Sequence, residues 1–217
     1  ADALEELAGD PASRKRFLRA LGGGAAAAGF SLALAACGKS KSKNGGNQLG
    51  GAGVGTAQFG QGDAGILNFA LSLEYLETDF YRAAVASGKL SGRALELAKR
   101  FGDEEQAHVT TLEGTVRNLG GKPTQRHKTS FPLADRATIL KTAGQIEALG
   151  AAAYLGQADR IQSKQVLAAA LSIHSVEARH AAVLSTMVGG PISPDGAFAK
   201  PVTSTDVSQL VSPYIIS

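Results

Sequence analysis

The sequence predicts an all-α protein whose centre is an antiparallel four-helix bundle. Three observations support this fold class. Alanine and glycine are frequent and tryptophan is absent, which favours helices packed through small side chains over a β-sandwich. From residue 63 onward the apolar residues recur at helical spacing, without strand-type alternation. The helical segments also fall into two similar pairs, which indicates a duplicated helix pair.

The first predicted pair of helices spans 63–87 and 93–119. Asp63 is the expected N-cap of the first helix, and Gly88 follows its last residue. The second helix is expected to end at Gly120, shortly before Pro123. One apolar stripe of the first helix consists of Ile66, Phe69, Leu73, Leu76 and Phe80, which are expected to face the core.

The second predicted pair spans 135–160 and 164–188 and follows a basic, turn-rich loop. Gly189, Gly190 and Pro191 end the last helix. The bundle is therefore expected over 63–188. The tail over 189–217 is rich in Pro, Ser and Thr with a short apolar finish, and it is expected to pack along the bundle.

The two predicted helix pairs carry the same pattern of polar residues. In the first helix of each pair a glutamate precedes a tyrosine by seven residues, and in the second helix a glutamate precedes a histidine by three. These intervals place the side chains on one helical face, directed at a common point in the bundle. Buried carboxylates are costly unless neutralised, so the pattern predicts a pair of metal ions. The residues are Glu74, Tyr81, Glu105, His108, Glu147, Tyr154, Glu177 and His180.

Four nearby residues compete with this assignment. Glu77 lies one turn from Glu74, but only Glu74 has its spacing to tyrosine repeated in the second pair. Glu104 lies four residues before His108, but only Glu105 matches the interval of the fourth helix. His174 is expected at a helix edge and His127 in a solvated loop. Gly144, Gly150 and Gly156 weaken the third helix, and they either permit close packing or leave space near the metals.

The N-terminal part of the chain is predicted to be an export signal, over 1–37, followed by a flexible linker over 38–62. A basic stretch, an apolar run and small residues follow one another in the order of a secretory signal. "SRKRFL" resembles a twin-arginine signal in which Lys15 replaces the second arginine, and "LAAC" resembles a bacterial lipobox with Cys37 as the lipidated residue. An uncleaved membrane anchor and a soluble Ala/Gly helix are the alternatives.

With this repeat in view, the sequence resembles the ferritin-like superfamily. The segment "LNFALSLEYLETDFY" is similar to the first helix of bacterioferritins and rubrerythrin-like proteins, and the bundle with its tail is most similar to bacterial desiccation-related ferritin-like proteins. The resemblance implies Glu74 and Glu147 as terminal ligands, Glu105 and Glu177 as bridging ligands, and His108 and His180 as one ligand to each metal. Tyr81 and Tyr154 would orient the carboxylates; ordinary core tyrosines are the alternative.

The ligand set predicts two Fe or two Mn ions as the cofactor. Four carboxylates and two imidazoles form a hard, oxygen-rich site whose four negative charges balance two divalent cations. Such a site suits Fe or Mn over thiophilic ions, although zinc could bind opportunistically. The leading hypothesis is an exported, membrane-tethered redox protein that acts on Fe(II), dioxygen or peroxide in stress protection. Manganese catalase-like peroxide dismutation, a non-catalytic protective envelope protein and, less favoured, a storage cage are the alternatives.

The charge and the cysteine content limit the classes of partner that the protein is expected to bind. The net charge is +3 and basic residues alternate with acidic ones along the chain, so no nucleic-acid-binding face is expected. The single cysteine excludes an intramolecular disulfide and a cysteine metal cluster. The expected partners are the metal ions, dioxygen or peroxide, and the membrane through lipid on Cys37, on the outer face of the cytoplasmic membrane or in the periplasm. A homodimer is left open.

Overall fold

The computed structural model describes residues 56–216. The predicted signal over 1–37, its lipidation site Cys37 and residues 38–55 of the predicted linker lie outside the described residues. Within the described part, four long α-helices form the bundle: α1 (Gly62–Ala86), α2 (Gly92–Asn118), α3 (Arg136–Gln157) and α4 (Lys164–Met187). None of the helices over 56–216 is long and apolar enough to cross a membrane.

The bundle is assembled from two helix pairs. α1 packs along α2, α3 packs along α4, and α1 contacts α3 between the pairs. Tyr81, late in α1, lies beside Glu147, while Tyr154, late in α3, lies beside Glu74, so α1 and α3 run antiparallel. The predicted all-α four-helix architecture is confirmed, and the helix limits agree with the sequence except that the third helix ends at Gln157, before a 3-10 turn over Ala158–Arg160.

The helix starts show one correction. Asp135 and Ser163 cap α3 and α4 through their side chains, which accept hydrogen bonds from the backbone N–H of Thr138 and Val166. Asp63 is not the N-cap of α1, because the helix starts at Gly62 with Gln61 in the capping position. Its carboxylate instead accepts hydrogen bonds from the backbone N–H groups of Gln162 and Ser163 at 2.9 and 2.8 Å. Asp63 therefore ties the start of α1 to the connection between α3 and α4.

Apolar side chains fill the bundle on both sides of a polar middle layer. The predicted stripe of α1 is buried throughout, and all of it except Ile66 packs in one hydrophobic cluster with residues of the other three helices. A second cluster contains other residues of α1 together with residues of the same three helices. One cluster includes Phe80 and Phe101, and the other includes Leu71 and Leu112. The charged residues described below lie within this apolar surrounding and are shielded from solvent by it.

The tail packs on α3 and adds a small sheet that the sequence does not predict. Helix α5 (Ser204–Val211) contacts α3, and the N–H of Val202 donates to the carbonyl of Ala152 at 3.1 Å. A Cβ at Gly156 would collide with the backbone of Val202, so the glycine permits this close approach. The strands β1 (Lys128–Thr129) and β2 (Ile215–Ile216) pair antiparallel. Strands of two residues are too short to show alternation in sequence.

Candidate metal centre

The structure brings the six predicted ligands together in the middle of the bundle. Each helix contributes from its inner face, and the four glutamates have no measurable exposure. Two sets of ligand atoms each lie within 4.8 Å of one another, and Glu105 and Glu177 belong to both. The sets are Glu74, Glu105, His108 and Glu177, and Glu105, Glu147, Glu177 and His180. The arrangement thus offers two adjacent cation positions that share two carboxylates.

The first histidine faces three carboxylates at once. His108 Nδ1 lies 2.8 Å from Glu105 Oε2, 3.2 Å from Glu74 Oε2 and 3.2 Å from Glu177 Oε1. A ring nitrogen carries at most one hydrogen, so it cannot donate good hydrogen bonds to all three oxygens. A cation at this point would contact every one of these atoms.

The second histidine is held from both sides. His180 Nδ1 lies 2.9 Å from Glu105 Oε1 and 3.1 Å from Glu147 Oε2, while Nε2 lies 2.7 Å from Glu104 Oε2. The ring stacks on Phe101 with centroids 3.9 Å apart. An N–H on Nε2 that donates to Glu104 leaves the lone pair of Nδ1 directed at Glu105 and Glu147, as ligation of a metal requires. The sequence pattern did not select Glu104 as a ligand. In the structure its carboxylate orients the ring of His180, which is one of the predicted ligands.

The two predicted tyrosines connect the helix pairs. Tyr154 on α3 donates to Glu74 Oε1 on α1 at 2.5 Å. Tyr81 on α1 makes the reciprocal hydrogen bond to Glu147 on α3. Both hydroxyls are buried, and burial together with the adjacent carboxylate raises the pKa of each tyrosine well above its usual value. The hydroxyls therefore remain protonated donors that fix one oxygen each of Glu74 and Glu147.

Glu77, which the sequence pattern ranked below Glu74 as a ligand, is also buried beside the cluster. It is 1% exposed and its two oxygens have no hydrogen-bond partner among residues 56–216. A Cβ at Gly150 would lie 2.6 Å from Glu77 Oε1 and 3.0 Å from Glu177 Oε2, so Glu77 points into the space beside the cluster that Gly150 leaves open. The sequence shows that Glu77 lies on the same helical flank as Glu74. It does not show the space at Gly150, because that space arises where α3 packs against α1.

The other two histidines lie away from the centre. His174 Nδ1 is 2.9 Å from the carbonyl oxygen of Ala151 at the edge of α4, and His127 is exposed in the loop after α2. Both positions agree with those expected from the sequence.

Burial and close packing of like charges shift the pKa values across the centre. Burial raises the pKa of Glu74 to about 8 and raises those of Glu77, Glu147 and Glu177. Burial also opposes ionisation of Glu105, but its hydrogen bond with His108 and its close contact with His180 prevail and lower its pKa to about 2. Carboxylate contacts likewise outweigh burial at the histidines and raise the pKa of His108 to about 12 and of His180 to about 10. The metal-free centre therefore retains protons at neutral pH.

The residues present fit a pair of divalent cations. Five buried carboxylate oxygens have no hydrogen bond from any described residue: both of Glu77, both of Glu177, and Glu105 Oε1. Glu105 Oε1 lies 2.9 Å from His180 Nδ1 and Glu177 Oε1 lies 3.2 Å from His108 Nδ1, but neither contact is a hydrogen bond. Leaving buried acceptors unpaired costs about 1–3 kcal/mol each, and more for charged groups. Coordination of a cation by these oxygens would remove that cost.

The all-α bundle and its central cluster of carboxylates and histidines together indicate a ferritin-like protein. A family model described as a ferritin-like domain matches residues 62–190, and the chain belongs to this family. The fold is also that of a solved structure, described as ferritin-like, diiron-carboxylate proteins from Bacillus anthracis. That structure is 21% identical with a TM-score of 0.50, and the match covers 58% of this chain and 94% of the other. No curated protein matches the chain significantly.

Proposed function

We propose that this protein binds two iron or manganese ions at the central cluster and uses them in redox chemistry on Fe(II), dioxygen or peroxide. The observation that carries the proposal is the pair of four-residue ligand sets that share Glu105 and Glu177. The solved ferritin-like neighbour, which is described as a diiron-carboxylate protein, supports the same assignment. Glu105 and Glu177 would hold both ions. Glu74 and His108 would hold one of them, and Glu147 and His180 would hold the other.

The metal pair would supply two one-electron changes at adjacent positions, which is the number that reduction of one peroxide to two waters requires, together with two protons. The chain's own residues prepare the centre for this chemistry. Tyr154 and Tyr81 hold Glu74 and Glu147 through one oxygen each, so the second oxygen stays directed inward. The apolar clusters above and below the centre limit the entry of bulk water.

Glu104 connects the centre with solvent. The side chain of Glu104 is 33% exposed. Its Oε2 lies 2.7 Å from Nε2 of the buried His180, and its Oε1 lies 2.9 Å from Nε of the exposed Arg100. Burial opposes ionisation of Glu104, but hydrogen bonds from His180 and Arg100 outweigh it and lower its pKa. The ionised carboxylate can therefore accept a proton from solvent and pass it to His180, which faces Glu105 and Glu147. We infer that protons consumed in peroxide reduction enter by this residue.

The location of the protein is also a proposal. Arg14, Lys15 and the "LAAC" segment ending at Cys37 support export and lipid attachment, followed by a role in stress protection at the membrane surface. Substitution of Cys37 by serine in the full chain should release the protein from membranes into the soluble fraction. A variant that stays membrane-bound would contradict the lipid anchor.

The activity is tested by loading the metal-free chain with Fe(II) or Mn(II), following peroxide by its ultraviolet absorbance and dioxygen with an oxygen electrode. The proposal predicts peroxide loss that depends on added metal and is abolished in the double variant Glu177→Ala, His180→Ala. The matched control Glu96→Ala, His127→Ala changes the same residue types at exposed positions and should keep full activity. Oxygen release by the manganese form would indicate catalase-like dismutation. No metal-dependent reaction with Fe(II), dioxygen or peroxide would contradict the redox proposal.

A further inference from the structure

The segment over 191–202, which follows α4, crosses from α4 to α3 as a strap that is attached at both ends. The carbonyl of Pro191 accepts a hydrogen bond from the hydroxyl of Ser185 on α4 at 2.7 Å. The N–H of Val202 donates to the carbonyl of Ala152 on α3 at 3.1 Å. Between these two contacts every residue over 192–200 is exposed. Among the described residues, the hydrogen bonds that tie the strap to the helices thus lie at its ends.

A groove of about 630 Å³ lies between the strap and the outer face of α3 and α4. Small side chains of both helices form its floor, including Ala148 of α3 and Ala178 of α4. Val188 and Ile192 also line it, and they are 50% and 69% exposed. Apolar surface of this kind, gathered in one groove, is typical of a binding site, and the volume falls in the range of about 300–1,000 Å³ of ligand pockets.

The groove follows the helices and is narrow. Its lining extends over 140–152 on α3 and over 174–188 on α4, which is about 20 Å along each helix at 1.5 Å per residue. Spread over that length, the volume gives a mean cross-section of about 30 Å². A helix, about 10 Å in diameter with its side chains, is too wide for this space. The dimensions suit a single extended chain.

The floor of the groove favours an alkyl chain over an extended peptide. A peptide would need partners for its N–H and C=O groups. The backbone groups of α3 and α4 are already paired within the helices, and the methyl groups of Ala148 and Ala178 offer no hydrogen bonds. A saturated alkyl chain needs none, and it would cover the exposed side chains of Val188 and Ile192.

The charges of the groove select an anionic head group. Lys141 and Lys200 line the groove, and Asp195 is the one acidic residue among the described residues that line it. Lys200 Nζ lies 3.4 Å from Asp195 Oδ1, so these two charges offset each other and Lys141 supplies the excess positive charge. A two-fold contact with a second copy of the chain would place this positive face against itself. A ligand with one negative charge is the better complement.

From the shape and charge of the groove we infer that it binds one long-chain fatty acid, with the alkyl chain extended along the alanine floor and the carboxylate at Lys141. The inference goes beyond the proposed redox function and does not depend on it, because the groove lies on the outer face of the α3–α4 pair and the metal ligands lie inside the bundle.

The test is calorimetric titration of the full chain with palmitate. Ala178→Leu extends a side chain into the groove, and it should weaken palmitate binding by about tenfold or more, because it displaces about two methylene groups of the ligand. Leucine forms helices nearly as well as alanine, so the variant should stay folded. The control Ala168→Leu makes the same change at an exposed position of α4 outside the groove and should leave binding unchanged.

Two further comparisons test the two ends of the ligand. Lys141→Gln should weaken palmitate binding by about two- to fivefold, as expected for an exposed ion pair, whereas Lys99→Gln on α2 should have no effect. Laurate, which is four methylene groups shorter than palmitate, should bind the parent chain about tenfold or more weakly.

Three results would overturn the inference. One is a parent chain that does not bind palmitate, and another is equal binding by Ala178→Leu and Ala168→Leu. The third comes from sedimentation equilibrium without ligand: a parent chain and Ala168→Leu that are dimers, with Ala178→Leu a monomer, would show that a second copy of the chain occupies the groove.

Discussion

Tyr154 on α3 donates a hydrogen bond of 2.5 Å to Glu74 on α1, and so joins the second helix pair to a carboxylate of the first. The corresponding bond from Tyr81 to Glu147 runs in the opposite direction. The repeat thus contributes more than ligands. Each pair orients a carboxylate of the other, so the geometry of the centre depends on correct packing between the pairs.

Loss of this bond should weaken metal binding without unfolding the bundle. In Tyr154→Phe the ring still fills its place in the core, but Glu74 loses the donor that fixes its orientation. Removal of such supporting hydrogen bonds typically costs about 10–100-fold in metal affinity. Mn(II) titration of the variant measures the effect. Tyr75→Phe is the control, because its hydroxyl donates to Glu113 outside the centre. Equal affinities for the two variants would contradict a positioning role for Tyr154.

Glu104 should affect one of the two cation positions. It accepts from Nε2 of His180, whereas the corresponding residue of the second pair, Val176, has no acceptor to offer His108. Glu104→Leu should weaken the step of the Mn(II) titration that involves His180 and leave the other step nearly unchanged. Glu104→Gln retains an acceptor oxygen and should largely restore that step. Equal weakening by leucine and glutamine would show that charge, rather than orientation of the imidazole, is what matters.

The stability of the metal-free protein should fall as pH rises from about 5 to 8. Burial raises the pKa of Glu74 from 4.5 to about 8, and the pKa values of Glu77 and Glu177 are also raised. The folded chain then binds more protons than the unfolded chain in this range, so raising the pH favours unfolding. The raised pKa values of the two histidines act with the same sign above about pH 6.5. The lowered pKa of Glu105 acts only below this window.

Metal binding should reverse this trend, because the ions displace protons from the same ligands and bind more tightly as pH rises. Scanning calorimetry with EDTA and with Mn(II) should therefore show a gap in Tm that widens from pH 5 to 8. Glu77→Gln removes one of the buried acids and should reduce the slope of the metal-free protein. A gap that is constant or narrows with pH would be inconsistent with proton displacement at this centre.

Asp63 should contribute to stability and not to metal binding. Its carboxylate accepts two backbone hydrogen bonds at the connection between α3 and α4. Asp63→Ala should lower the free energy of unfolding by about 1–3 kcal/mol, measured by urea denaturation, because hydrogen bonds to charged groups are worth about that much. Asp159→Ala, at an exposed position in the same connection, should change it by less than about 0.5 kcal/mol. Equal effects of the two variants would refute this role.

Much of the fold follows from local patterns in the sequence. Apolar residues at helical spacing, together with glycines and prolines just beyond the helix ends, predicted the limits of the four helices to within about three residues. This succeeds because both features lie in or next to the helix that they define. The repeated Glu and Glu-x-x-His intervals identified six residues that the structure brings together. Helical spacing fixes which face a residue occupies, and this is sufficient when the same face is marked in all four helices.

The features that the sequence did not predict depend on contacts between distant segments. Asp63 resembles an N-cap locally, but its partners lie about a hundred residues away. Glu77 competes with Glu74 on the same flank, and only the space left by Gly150 shows that both reach the centre. Glu104 gains its role from His180 on another helix. In each case the local pattern is ambiguous and tertiary packing decides.

The most direct test of the proposed metal centre is the metal content of the purified full chain after growth with iron and manganese, beside the Glu177→Ala, His180→Ala variant. About two ions per chain are expected in the parent and far fewer in the variant, with both proteins folded and helical by circular dichroism. A folded parent chain that holds no iron or manganese after such growth, and takes up neither when it is added, would contradict the assignment of the buried carboxylates as a metal centre.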